Sequence, residues 1–310
     1  LDTRTCECLV KTLHGPVEEN APLAPLTTIR IGGPARLLYR ARTANQLVDA
    51  IETAYQCGAP FWLLGGGSNL VISDRGLDGL AVVDETREHL DFSGGSLRVS
   101  SGYLLQDIVQ ACREKSFTGF EFAAGIPGNL GGAVCGNAGA YGCTIGDRLL
   151  EAEVWTPGGQ IRRVPAEFFQ FEYRESVFKK TQGIVLSATF KIEPGEPDRI
   201  NRRMDENLKR RWERLPPPDL PSAGSFFKNL QPEKPGQRRQ AAGLFLERAG
   251  VKGMRFGKAR VFDKHANIIV NTGGATAQDV YHLAQRMKGL VLEKFGIALQ
   301  EEARYLGQVP

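Results

Sequence analysis

The 310-residue chain has only four histidines, His14, His89, His265 and His282, which lie far apart and lack a cysteine at ligand spacing, so no metal site is legible. Its six cysteines (Cys6, Cys8, Cys57, Cys112, Cys135, Cys143) contain no C-x-x-C and are too sparse for a disulfide framework; six reduced thiols are expected. No apolar run approaches the ~18 residues of a membrane span. The first residues, LDTRTCECLVKTL, carry acidic groups where a secretion signal needs an apolar core. A cytoplasmic protein without membrane insertion is expected, a monomer by default. Excess charge is missing too: 39 basic residues against 35 acidic, net +4, are too even for phosphate-driven nucleic-acid binding and fit a small anionic ligand better. The densest basic run, Arg202, Arg203, Lys209, Arg210, Arg211 and Arg214, is interleaved with Asp205, Glu206 and Glu213 and reads as a solvated helix face. No internal repeat is visible. A Rossmann fingerprint is absent, because Leu70 stands where Gly65-x-Gly67 needs its next glycine.

What the chain does have is glycine, concentrated in GFEFAAGIPGNLGGAVCGNAGAYG at 119–142. Bare backbone lets peptide N–H groups approach an anion such as a pyrophosphate. Taken alone, the segment reads equally as a glycine-rich surface loop.

A strand at 35–41, a helix with Leu47, Ala50, Ile51 and Ala54 on one face, and a strand at 61–64 form a βαβ pattern that runs into Gly65-Gly66-Gly67-Ser68-Asn69. Glycine at a strand's carboxyl end is where open α/β sheets bind ligands. A hairpin turning at Ser93-Gly94-Gly95-Ser96 precedes a helix with Leu104, Leu105, Ile108 and Cys112 on its apolar face. Another hairpin turns at Pro157-Gly158-Gly159. Ile184, Leu186, Ala188, Phe190 and Ile192 alternate as in a half-buried strand. A helix with Ile200, Met204, Leu208 and Trp212 leads to the extended linker Pro216-Pro217-Pro218. Beyond it come a helix ending near Gly250, a strand at 267–270, a helix opened by the capping box Thr276-x-x-Asp279 and closed by Gly296, and a last strand at 300–306.

Five separated segments, TTIRIGGPA (27–35), GGGSN (65–69), the 119–142 stretch, YRESVFK (173–179) and AGSFFKN (223–229), together resemble the UDP-N-acetylenolpyruvoylglucosamine reductase family. The resemblance runs from about residue 20 to 307, and several spaced motifs in one order are far more specific than any one glycine loop. It implies an α+β chain: a two-subdomain FAD-binding fold of the vanillyl-alcohol-oxidase/PCMH type at 1–85 and 86–198, then an α+β substrate-binding domain at 199–310. It also implies non-covalent FAD, NADPH as reductant, and ping-pong reduction of the enolpyruvyl sugar nucleotide to UDP-N-acetylmuramate. The short stretch after Lys180 is similar to the shorter, loop-lacking type of the family.

Hydride addition to the enolpyruvyl group leaves negative charge that spreads into the carboxylate, so the chemistry needs a cation, a proton donor and an orienting carboxyl. By resemblance these are Arg174, Ser225 and Glu302, the last in a segment where Ala303 departs from the family's valine. A serine hydroxyl is a weak acid and needs a neighbour that stabilises the alkoxide, for which Lys228 is the candidate. Glu301 is the weaker carboxyl candidate. Matching positions for the flavin are Thr28, Arg30, Gly65, Gly66, Gly67, Ser68, Asn69, Ala124, Gly125, Ile126, Pro127, Gly128, Gly132, Asn137 and Gly139. For the sugar nucleotide they are Tyr173, Lys228, Asn229, Lys252, His265, Asn267 and Arg304. His265 reads equally as a buried structural histidine. A flavin oxidase of the same fold and a catalytically silent nucleotide-sugar sensor are the rival readings; the joint presence of Arg174, Ser225 and Glu302 argues against the sensor.

Overall fold

The computed structural model describes residues 1–309 apart from 218, 233, 235, 236 and 238. Pro218 of the proline linker therefore lies outside the described residues. The chain opens with α1 (Thr3–Thr12), β1 (Val17–Pro22), β2 (Pro34–Ala41), α2 (Ala44–Gln56), β3 (Phe61–Leu64), β4 (Leu70–Ile72) and β5 (Leu77–Asp84). It separates into two compact units, each drawn from several stretches. Unit 1 is Leu1–Glu19, Leu37–Gly66 and Gly79–Arg211; unit 2 is Asn20–Arg36, Gly67–Asp78 and Trp212–Pro310.

The first sheet has the order β1-β2-β5-β3, so the strand–helix–strand pattern forms with β5 lying between its two strands. β3 runs parallel to β5, with Phe61 opposite Leu80 and Leu64 opposite Val83. The Thr43 side chain caps α2 by accepting the Gln46 N–H, and the apolar spacing buries Leu47, Ala50, Ile51 and Ala54 against Leu37, Leu80 and Val82. β6 (Leu90–Ser93) and β7 (Ser96–Ser100) form the expected hairpin, whose two-residue turn Gly94-Gly95 takes positive φ at both positions. α3 (Leu105–Glu114) buries Leu105, Ile108 and Cys112, whereas Leu104 is its exposed N-cap and not part of the apolar face. Burial pushes the Cys112 thiol up to about 12, which makes it inert.

The five-stranded sheet of unit 1 has the order 160–165, 149–156, 184–191, β7, β6. Its middle strand, Ile184–Lys191, departs from simple alternation: Val185 and Ser187 are buried as well as Leu186 and Ala188. The pairing explains this, because Glu153 faces Ser187 and Val154 faces Val185, which leaves Leu186 as a bulge. A bulge shifts the side-chain phase. Ile184 and Leu186 consequently join the core around α2, while Ala188 and Phe190 join Leu97, Val99, Ile108 and Phe169 in the core of the second sheet. α4 (Leu130–Cys135) and α5 (Phe178–Thr181) follow, and α6 (Pro197–Trp212) packs Ile200, Met204 and Leu208 on that second core; Trp212, expected on the same face, is exposed.

Two cysteine residues overturn the expectation of six free thiols: Cys8 on α1 and Cys57 at the end of α2 form a disulfide, their Cα atoms 6.0 Å apart. Their sequence separation of 49 gives no hint of the pairing, which arises only because α1 packs on α2. Cys6, Cys112, Cys135 and Cys143 are free.

Unit 2 holds a sheet of order 222–225, 268–271, 259–261, 255–256, together with α7 (Ala242–Arg248) and α8 (Ala277–Phe295). Both halves of the Thr276–Asp279 capping box are made, and Gly296 closes α8 at φ 68°. Asp74 adds a second acceptor for the first α8 amides, taking the Ala277 N–H at 2.9 Å. Val280, Leu283, Met287 and Val291 form the buried stripe. The last strand is only Arg304–Leu306, parallel to β4, because residues 300–302 pair with the 226–228 segment and not with a strand. Among the described residues no helix is long and apolar enough to cross a membrane.

Candidate active site

Unit 2 gathers one part of the site. The strand Ser222–Ser225 pairs with Ile268–Asn271 through a register shift, with Gly224 at φ 73°, and this bulged end leaves Ser225 exposed while Phe226 and Phe227 are buried. Asn267 fixes that corner: its Oδ1 accepts the Phe227 N–H at 2.9 Å and its Nδ2 donates to the Phe227 carbonyl at 2.8 Å. The Glu302 N–H donates to the Phe226 carbonyl at 2.8 Å, and Asn69 Nδ2 donates to the Glu302 carbonyl at 2.9 Å. Arg304 N–H reaches Asn69 O at 3.0 Å, and the Ser68 carbonyl lies 3.9 Å from where a Gly224 Cβ would stand. Thr28 joins them, with its N–H on Gly67 O at 3.2 Å and its hydroxyl on Ser222 O at 2.7 Å. Arg30 holds positive φ, and Asn271, which the sequence reading missed, supports that turn by donating to Ile29 O at 3.0 Å. Glu301 is tied to Gln285 and Lys288 at 3.0 and 3.1 Å. Lys252 pairs with Glu247 at the surface. His265 Nδ1 accepts the Asn267 N–H at 3.2 Å; burial, helped by the charges of Arg214 and Lys252, lowers its pKa and favours the neutral ring.

Unit 1 carries Arg174. Glu172 and Glu175 exchange backbone hydrogen bonds across a tight turn, which holds Arg174 at φ 57°, a conformation a non-glycine residue adopts at a cost. Arg174 Nη2 donates to Gly139 O at 2.9 Å and its guanidinium lies by the Tyr173 ring. Asn137, also at positive φ, donates to Glu172 O at 3.0 Å and accepts the Gly146 N–H at 3.0 Å, so the glycine segment and the arginine turn form one body. Arg211 corrects the reading of its run as wholly solvated. It is half-buried, its Cδ 2.6 Å from where a Gly125 Cβ would stand. Burial lowers its pKa, the Tyr141 phenol opposes this, and the Arg174 charge adds to it.

The other glycines of the motif bring loops together. At Gly65 a Cβ would stand 2.2 Å from Asn129 Oδ1, and at Gly66 one would stand 2.6 Å from the Gly128 Cα. These loops line a cavity of about 610 Å³ with Gly102, Asp84, Arg42 and Arg87. That size, bare backbone and the Arg42 guanidinium fit a nucleotide-containing cofactor. Asp84 and Gly102 were missed because they fall outside the glycine motifs, and Asn129, inside one, was not singled out. Among the described residues no cluster of three or more His, Cys, Asp or Glu could hold a metal ion.

Comparison with known proteins agrees with this layout. A family model described as "FAD binding domain" matches residues 35–165, and the "UDP-N-acetylenolpyruvoylglucosamine reductase, C-terminal domain" model matches 216–306. The UDP-N-acetylenolpyruvoylglucosamine reductase of Clostridium botulinum is 37% identical over 94% of this chain and 93% of its own. The corresponding protein of Bacillus pumilus is 36% identical over 97% of both. A crystal structure of the Thermus caldophilus reductase is 32% identical, with a TM-score of 0.77 over 94% of this chain and 98% of that one.

Proposed function

Because the chain belongs to the UDP-N-acetylenolpyruvoylglucosamine reductase family, we propose that it reduces UDP-N-acetylglucosamine enolpyruvate to UDP-N-acetylmuramate with FAD as cofactor and NADPH as reductant. When bound, FAD would accept hydride from NADPH and supply hydride from N5 to C3 of the enolpyruvyl group. The chain's own residues manage charge and protons. Arg174, whose backbone is held at positive φ, would fork onto the substrate carboxylate as negative charge spreads into it. Ser225 gives its proton to C2, and Glu302 orients the polarised carboxylate. The glycine loops of unit 1 would hold the cofactor.

The observation that carries this reading is the placement of Ser225. Ser225 is exposed on a bulged strand end whose next two residues are locked in the core. The backbone beside it is bonded to Glu302 and, through Asn69, to the GGGSN loop. An ordinary serine turn needs no such bracing. The purified protein should show a flavin spectrum that bleaches with NADPH and returns on adding the enolpyruvyl sugar nucleotide without oxygen. A bleached spectrum restored by oxygen and not by the sugar nucleotide would overturn the assignment in favour of an oxidase.

A further inference from the structure

Asp84 belongs to none of the motifs that carry the family resemblance, yet it lies in the wall of the unit 1 cavity. It ends β5 after the apolar run Leu80–Val83 and is 6% exposed. One carboxylate oxygen is fully engaged: Oδ1 accepts both the N–H and the hydroxyl of Thr86, at 3.1 and 2.8 Å. The other, Oδ2, takes a long 3.4 Å contact from Asn129 Nδ2, and the Ser101 side chain also hydrogen-bonds the carboxyl. Burial raises the Asp84 pKa against the lowering effect of Ser101 and Thr86, so its charge is held in the wall at a cost.

The remaining charged groups of the cavity are mostly committed to the protein. Glu85 is bound to Arg40 at 2.7 Å, Glu88 accepts the Ala44 N–H at 2.6 Å, and Arg87 faces Asp107 and the Tyr103 ring. That leaves two kinds of group in the cavity wall for a ligand. Glycine amides and the Arg42 guanidinium suit an anion; the weakly engaged carboxylate oxygen suits a hydroxyl donor. A ligand that carries phosphate and sugar hydroxyls close together satisfies both. Every lining residue falls within the 35–165 match to the FAD-binding family model.

The geometry points to Asp84 as the acceptor for a sugar hydroxyl of the flavin dinucleotide, a contact specific to this carboxylate and additional to the glycine-loop contacts. The hydroxyl belongs either to the adenosine ribose or to the ribityl chain, which share this chemistry. The inference rests on the flavin reading of the chain.

The test is titration of flavin-free, full-length wild type, Asp84→Ala and Thr86→Val with FAD, FMN, FAD lacking the adenosine ribose hydroxyls and FAD lacking the ribityl hydroxyls, read by flavin fluorescence. A hydrogen bond to a charged acceptor predicts that Asp84→Ala weakens FAD by about 10- to 100-fold. One of the two deoxy analogues should bind wild type and Asp84→Ala equally. If that is the ribose analogue, FMN is unaffected by the substitution; if it is the ribityl analogue, FMN weakens with FAD. Thr86→Val disturbs the same hydrogen-bond network without touching the cavity and should show no such selectivity. Equal loss for all four ligands, or no loss, would overturn the role of Asp84. A wild-type chain that binds none of them would remove the flavin reading itself, and this role with it.

Discussion

At the scale of single residues, the candidate groups divide between those the motifs made legible and those they hid. Ser225 and Arg174 stood out because glycine and aromatic neighbours surround them in a recognisable order, and the backbone two residues away, at Phe227 and Glu172, is braced by Asn267 and Asn137. Asp84 and Arg211 were hidden because burial is decided by distant segments: a carboxylate at the end of an apolar run, and one arginine in a run of six basic residues, look ordinary in sequence. The braced pair gives two expectations. Ser225→Ala should leave reduction of the flavin by NADPH intact and slow its reoxidation by the sugar nucleotide about 10²–10⁴-fold, the usual worth of a positioned acid. Stopped-flow traces of the two half-reactions check this, and equal damage to both would exclude the role. Arg174→Ala should cost the substrate step on the order of 3 kcal/mol, as loss of an oxyanion donor does. An unchanged rate of enolpyruvyl reduction in single turnover would take Arg174 out of the mechanism.

At the scale of elements, signals that act within one turn of chain were legible and those that act between elements were not. The α8 capping box, the Gly94-Gly95 turn and the apolar stripe of α2 depend on residues a few positions apart. The Leu186 bulge and the Cys8–Cys57 pairing depend on which neighbours a strand or helix meets. The short 3-10 turn Glu121–Ala123, inside the glycine segment, shows what such a meeting supplies. Burial disfavours the Glu121 charge, but hydrogen bonds from the Thr118 hydroxyl at 2.5 Å and the Gly119 N–H at 2.7 Å, with the Arg203 charge, outweigh it and lower the pKa. A carboxylate with a lowered native pKa stabilises the fold above its unfolded pKa of ~4.3; that contribution disappears as pH falls through the native value. Glu121→Gln should therefore cost about 1.5–3 kcal/mol at neutral pH, with the gap closing in acid. Urea unfolding of both proteins across the acidic range measures it, and a gap that stays constant or widens toward low pH would contradict the assignment.

At the scale of the whole molecule, the chain order of the motifs conceals how unit 2 is assembled. The family match at 216–306 looks self-contained, yet its core includes Ile29, Ile31 and Val71 from the first quarter of the chain. Arg304–Leu306 pairs with β4, Asn271 is bonded to the Ile29 carbonyl, and the first α8 amides are capped by Asp74. Each of those three buried aliphatic side chains is worth roughly 1.5–3 kcal/mol, so together they approach the whole stability of an ordinary domain, about 5–15 kcal/mol. A fragment of residues 212–310 alone should therefore lack a cooperative unfolding transition, while the same fragment joined through short linkers to 20–36 and 67–78 should regain one. Circular dichroism melts and amide-exchange protection of α8 decide the matter. If the bare fragment melts cooperatively with α8 protected, the N-terminal stretches do not build this core, and the bracing of Ser225 needs another origin.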